Sequence, residues 1–413
     1  MSFNPFTEKP KKADKLFVDW KGLYIKPYDK HTVDPYTKCR IILMNGTEYE
    51  AVWHSHQYHR HEMNNDIRRD LALIRYSEQQ QQKRLACLKP LDETILETTI
   101  SYEQLAVDLT AELAQRVGDD YVKLALDFAL LEDFDHLYRY ADLLEADSGI
   151  HAEKLVGCYT EIMPARPTVA HHRDPVDNVK FHIDNKKADW ESKMAVSIIT
   201  AAEQQTMNYY MNVCAFYPND LGRKLYQEIG LVEEEHVTQY GSLIDTQEGW
   251  AECNLLHEYI ECFLYWSCLE TETDNAIKKV WAMHLDQELV HLTKAEQLLN
   301  KYANKQWQEV IPEPEFKKPL SLHQNKEYVR NILKQTVDLT SNREGYARVN
   351  ELGDYSSFQK FQRMINKDIE SAPSHLVIEN EIMLKGSDYR YEDSGNPLKE
   401  LRDATRDNVV VGR

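Results

Sequence analysis

The feature that most restricts this chain is an acidic residue standing where a helix should be apolar, four times over and at matched heights. A helix drawn over about 91–117 carries an apolar stripe through Leu96, Ile100, Val107 and Ala114, and position 103 within it is Glu. A second, over about 120–146, runs through Val122, Leu126, Ala129, Tyr140 and Leu143, with Glu132, Asp133 and His136 at its centre. The third, about 189–215, runs through Val196, Ile199, Met207 and Tyr210 around Glu203. The fourth, about 219–242, runs through Leu225, Ile229, Val232 and Tyr240 around Glu233 and His236. Residues three apart share a helix face, so Asp133 neighbours His136 and Glu233 neighbours His236. Glu103 stands as far before His136 as Glu203 stands before His236, and each lone Glu is followed by Gln. Two helical hairpins of equal arm length bring each lone Glu level with its partner His.

Buried unpaired carboxylates are costly, and four together repel. Two divalent or trivalent cations would neutralise them, and carboxylate with imidazole suits Fe, Mn or Zn. A Glu from each of two helices plus Glu-x-x-His from each of the other two is the ligand set of dimetal-carboxylate bundles. On these residues, over roughly 91–242, the chain resembles the ferritin-like superfamily of rubrerythrins, manganese catalases and diiron-carboxylate oxidases. The resemblance implies ligands at Glu103, Asp133, His136, Glu203, Glu233 and His236. Asp133 stands where the family usually has Glu, and Glu132 lies at i, i+4 from His136, so either of the two is a candidate. The resemblance further implies a pair of metal ions, iron first and manganese as the alternative. With them comes an oxidoreductase activating dioxygen or peroxide, acting on peroxide itself or on a small organic substrate, in a homo-oligomer such as a dimer. No catalytic residue beyond the ligands is implied. A metal-storage or ferroxidase-like protein and a metal-free helical scaffold remain alternatives.

A third unit follows the same rule. A helix over about 248–271 carries Glu258, and one over about 274–305 carries His284, Glu288 and His291. Glu258 stands as far before His291 as Glu103 before His136. Spare ligands, a second metal site or a subunit contact are the options for it. The irregular stretch 147–188, with HHRDPVDN, matches the long crossover between helices two and three of ferritin-like bundles. Its His171 and His172 read as ordinary loop residues, and His54, His56, His59 and His61 as surface histidines. Tyr102, Tyr209, Tyr210 and Tyr240 fall near the proposed site, with core packing as their first role.

The expected fold is therefore all-α: a ferritin-like four-helix bundle with additional helices, a small N-terminal β-hairpin and a C-terminal extension. Asn45-Gly46, between two β-type runs at 39–53, favours a type I′ turn and predicts the hairpin. The domains expected are 1–62 as an N-terminal extension, 63–305 as the helical domain and 306–413 as a C-terminal extension with short helices at about 322–338 and 356–370, then a polar tail. The tract QQQQ at 79–82 reads as a solvated helix face. A net charge of −19 argues against nucleic acid, which needs clustered Lys and Arg. The short basic stretch Lys9 to Lys15 reads as a solvated tail. No run approaches the roughly 18 apolar residues of a membrane span. Seven cysteines without a CxxC pair and no export-type N-terminus predict free thiols in the cytoplasm.

Overall fold

The computed structural model describes residues 3–10 and 16–388. Those residues are mostly helical, with one small antiparallel sheet. In chain order the helices are α1 Trp20–Leu23, α2 Pro35–His61, α3 Asn65–Ala86, α4 Ile95–Ala114, α5 Asp120–Ser148, α6 Ala152–Leu155, α7 Trp190–Val213, α8 Asp220–Ser242, α9 Trp250–Thr271 and α10 Asn275–Leu298. After these come α11 Trp307–Val310 and α12 Lys326–Thr336, then β1 Leu339–Asn342, β2 Gly345–Arg348, α13 Ser357–Ile365 and α14 Pro373–Lys385. The long helices begin where the sequence offers a cap. Asp34, Asn64, Asp119, Asp189, Asn219 and Asp274 each accept a backbone N–H of the first turn, and Thr94 forms a capping box with Glu97. The α5 helix ends at Gly149, whose φ of 67° is the left-handed conformation a glycine adopts without penalty.

The expected N-terminal β-hairpin is not formed: residues 39–53 lie inside α2. Asp34 caps that helix and Pro35 occupies its first position, so the helix is set before the Asn45-Gly46 pair is reached. Gly46 inside a helix costs about 1 kcal/mol. Burial of Cys39, Leu43, Met44 and Ala51 outweighs that local preference, and Asn45 donates through Nδ2 to the Gln82 carbonyl at 3.2 Å. The sheet lies instead near the C-terminal end, with Leu339 opposite Arg348 and Asn342 opposite Gly345. The expected polar tail contains α14. Residues 389–413, and 11–15 of the basic stretch, lie outside the described residues.

The chain divides into two compact units, each built from two separate stretches rather than from the consecutive blocks expected. Unit 1 comprises Met1–Glu93 and Asp245–Leu322; unit 2 comprises Thr94–Ile244 and His323–Arg413. In unit 2, α4 packs on α5 and α7, and α8 packs on α7 and α5. Its apolar core includes Ile100, Leu137, Tyr140 and Ile229, and extends to Leu333 of α12 and Val377 of α14. The stretch between α5 and α7 is no ordinary surface loop: Arg166, Thr168, His171, Arg173 and Asn178 are fully buried. Unit 1 repeats the plan with α2 on α3 and α9, and α10 on α9 and α3. Here the connection between the second and third helices contains the whole of residues 94–244.

Candidate metal centre

In unit 2 all six residues implied by the resemblance converge. Each of these residues is at most 1% exposed. Asp133, Glu203, Glu233 and His236 each place one ligand atom within 4.8 Å of the others; Glu103, His136 and Glu233 form a second such group. Glu233 belongs to both groups.

The geometry around His236 is the most informative. Its Nδ1 lies 3.3 Å from Asp133 Oδ1, 3.6 Å from Glu203 Oε2 and 3.2 Å from Glu233 Oε2, facing three carboxylates from three helices. Its Nε2 points the other way, 2.8 Å from Glu132 Oε2. Glu132 is thus outside the cluster and Asp133 inside it. Glu132 is itself held by Arg173 Nη1 at 2.5 Å and Arg166 Nη2 at 3.3 Å. On the other side, His136 Nδ1 is 3.0 Å from Glu233 Oε1, and the Tyr210 hydroxyl donates to Glu103 Oε1. Both oxygens of Glu203, Glu103 Oε2 and His136 Nε2 are buried without a hydrogen-bond partner.

The electrostatics follow from crowding. Burial, reinforced by the Glu233 charge, lifts the Glu103 carboxyl well above the usual range. Burial and the Glu203 charge do the same to Asp133. Burial pushes Glu203 up to about 7 although His236 opposes it. Glu233, buried too, is held down to about 2 by its hydrogen bonds to His136 and His236. Burial disfavours the His236 imidazolium, but Asp133 and Glu203 outweigh it and raise its pKa.

Glu258, Glu288 and His291 do not join this cluster. They converge in unit 1 with Glu78 of α3, again with ligand atoms within 4.8 Å, and Glu48, Glu78 and Glu261 form an adjoining group. Glu48, Glu78, Glu261 and Gln81 were not among the sequence candidates. A signal for them exists: Glu48 stands as far before Gln81 as Glu103 before His136. Reading 39–53 as strands hid it. Gln81 also corrects the reading of QQQQ as solvated, because it is fully buried while Gln79 is exposed. His284 binds the Tyr265 hydroxyl through Nδ1 at 2.9 Å rather than facing the carboxylates.

The remaining histidines differ from expectation in part. His61 is exposed, but His54 is half-buried and stacks on His257 with ring centroids 5.3 Å apart. His171 and His172 are buried, His171 with its ring 5.7 Å from that of His136 and His172 near Glu228 and Glu235. Sequence reading gave them no role because the crossover has no periodicity to show which residues turn inward. Tyr210 and Tyr240 are fully buried, and Tyr102 stacks on Tyr209 at 4.3 Å.

No family model, curated protein or solved structure matches this chain. Among the described residues, no helix is long and apolar enough to cross a membrane.

Proposed function

We propose that unit 2 is a ferritin-like four-helix bundle holding a dimetal-carboxylate centre, and that the protein is an oxidoreductase acting on dioxygen or peroxide. The observation that carries this reading is the shared carboxylate of Glu233, set between two ligand groups whose other buried atoms have no protein partner. Four carboxylates balance two divalent cations, whereas a metal-free core would carry the desolvation of every unpaired oxygen. The donor set of Glu103, Asp133, His136, Glu203, Glu233 and His236 fits iron or manganese. A pair of such ions supplies paired one-electron redox changes, which suits cleavage of an O–O bond.

The chain's own residues have definable tasks. Glu132 accepts a hydrogen bond from the Nε2–H of His236, which fixes the tautomer and aims the Nδ1 lone pair at the cluster. Arg173 and Arg166 hold Glu132 ionised in its buried position. Tyr210 orients Glu103 and keeps a hydroxyl proton at the edge of the cluster. The enclosure of all six ligands excludes bulk water and favours a reactant of the size of dioxygen or peroxide. Glu203→Ala and His236→Ala should each lose the metal bound in unit 2, counted by elemental analysis after anaerobic Fe(II) loading, together with Fe(II)-dependent oxygen consumption. Wild-type metal content in both variants would overturn the assignment.

A further inference from the structure

Unit 1 contains a second convergence of ligand groups, with a different chemistry. Its geometry about His291 repeats that about His236. His291 is fully buried, and its Nδ1 lies 2.8 Å from Glu78 Oε1, 3.1 Å from Glu288 Oε2 and 3.9 Å from Glu258 Oε2. These carboxylates come from α3, α10 and α9, so one imidazole is again aimed into three carboxylates from three helices. The lone Glu is treated alike in both units: the Tyr265 hydroxyl donates to Glu48 as Tyr210 donates to Glu103, and Tyr265 follows Glu258 on α9 at the same interval as Tyr210 follows Glu203 on α7.

Besides Glu78 at the register of Asp133, which keeps a carboxylate, three substitutions at equivalent heights separate the two clusters. Gln81 stands at the register of His136, Glu261 at that of Thr206, and Ser77 at that of Glu132. Gln81 donates to Glu288 Oε1, and its own Oε1 is buried without a partner. Both Glu261 oxygens lack a hydrogen-bond partner, Oε1 lying 3.7 Å from His257 Nε2 as its nearest ion-pair contact. The Ser77 hydroxyl is directed to the Leu16 carbonyl, and His291 Nε2 has no hydrogen-bond partner. Unit 1 therefore gathers five carboxylates and one imidazole where unit 2 gathers four and two.

We propose that unit 1 is a second, inequivalent two-cation site: one position formed by Glu78, Glu258, Glu288 and His291, the other an all-oxygen position formed by Glu48, Glu78 and Glu261. Glu78 is the shared carboxylate. All-oxygen donor sets favour hard cations such as Mn(II), Mg(II) or Ca(II) over Zn(II) and Cu(II). A histidine without a carboxylate on its outer nitrogen is also a less basic ligand. Unit 1 is accordingly the site that takes Mn(II) when both kinds of ion are offered. This inference stands apart from the reading of unit 2, since it uses none of its residues.

The test uses the full chain, stripped of metal and titrated with Mn(II), with unbound Mn(II) read by electron paramagnetic resonance. Wild-type protein should bind at least two Mn(II) per chain. Glu261→Gln should weaken one of them at least about tenfold, and His236→Ala should leave the unit 1 ions in place. The isosteric Glu261→Gln keeps the fold testable, and an unchanged helical circular dichroism spectrum verifies it. A second variant, Gln81→His, should shift preference from Mn(II) toward Fe(II) in competition. Mn(II) binding by Glu261→Gln and Glu48→Gln equal to wild type would overturn the proposal, as would complete loss of Mn(II) in His236→Ala. A wild-type Mn(II) count in Glu203→Ala, with nothing lost from unit 2, would count against the unit 2 reading alone.

Discussion

Units 1 and 2 share four carboxyl positions, one imidazole and one tyrosine at matching intervals, yet differ at Gln81 and Glu261 within the cluster and in how the outer layer supports it. In unit 2 the outward nitrogen of His236 meets Glu132, which in turn meets Arg173 and Arg166. In unit 1 the outward nitrogen of His291 has no hydrogen-bond partner. The packed helices of each unit thus set where carboxylates and imidazoles converge, and on the proposals above single residues one or three positions away would set what they prefer to hold.

The largest expected effect breaks the support that only unit 2 has. Arg173→Met leaves Glu132 and Glu235 buried beside a neutral side chain, and should cost about 3–5 kcal/mol of stability in urea unfolding followed by circular dichroism. A loss under about 1 kcal/mol would mean that Arg166 alone holds Glu132. Metal loading comes next. At a free metal concentration a thousandfold above Kd, binding stabilises by about 4 kcal/mol, on the order of 10 °C in Tm for a unit of this size. Calorimetry of chelator-treated and Fe(II)-loaded protein should show that rise, and His236→Ala should remove the unit 2 share while the unit 1 share persists.

A smaller effect compares the two tyrosines. Tyr210→Phe deprives Glu103 of a donor, whereas Tyr265→Phe deprives both Glu48 and His284. Unsatisfied buried groups cost about 1–3 kcal/mol, so Tyr265→Phe should be the more destabilising of the two in metal-free protein. Equal melting points would remove the distinction. The smallest effect is in pH. Glu203 and Glu258, raised by burial to about 7 and about 8, keep protons in the folded state that the unfolded chain has already released above about 4.5. Their stabilising contribution is complete below that value and is lost as pH rises through 7 and 8. His257, which Glu50 holds up at about 9 against burial, acts in the same direction, and Lys180, lowered by burial to about 7, opposes. Metal-free protein should therefore melt lower at pH 8 than at pH 6.5, with a shallower fall in Glu203→Gln. An unchanged slope in that variant would contradict the assignment of the effect to Glu203.

Much of this molecule could be read from its sequence where periodicity was strong. Helices α4, α5 and α7 to α10 lie within a few residues of the spans their stripes predict, except that α10 ends at Leu298 and a π-helical turn, Leu299–Ala303, carries on toward the predicted end; the short α6, inside the stretch read as irregular, has no stripe to predict it. The six residues of unit 2 were found because each interrupts an otherwise apolar face. Unit 1 was half legible for a definite reason: Asn45-Gly46 is a strong local turn signal, and only packing over the whole of α2 overrides it. Gln81 was invisible in principle to a search for acids and histidines, since a buried amide looks like any other glutamine in a polar tract. Glu132 against Asp133 could not be decided by spacing, because both reach the turn facing His136; the guanidiniums that claim Glu132 come from the aperiodic crossover.

The path of the chain through the two units has a consequence for synthesis. The α2–α3 hairpin leaves the ribosome roughly 160 residues before α9 begins, and at about 5–20 residues per second that is on the order of ten to thirty seconds. During that interval Glu48, Glu78 and Gln81 exist with no opposite helices to enclose them. The nascent hairpin must stay soluble and uncommitted while the intervening residues of unit 2 emerge, and its own site closes only when α10 arrives. The interrupted unit is thus the later of the two clusters whose ligands are completed, and its exposure to whatever ions surround the nascent chain is the longer.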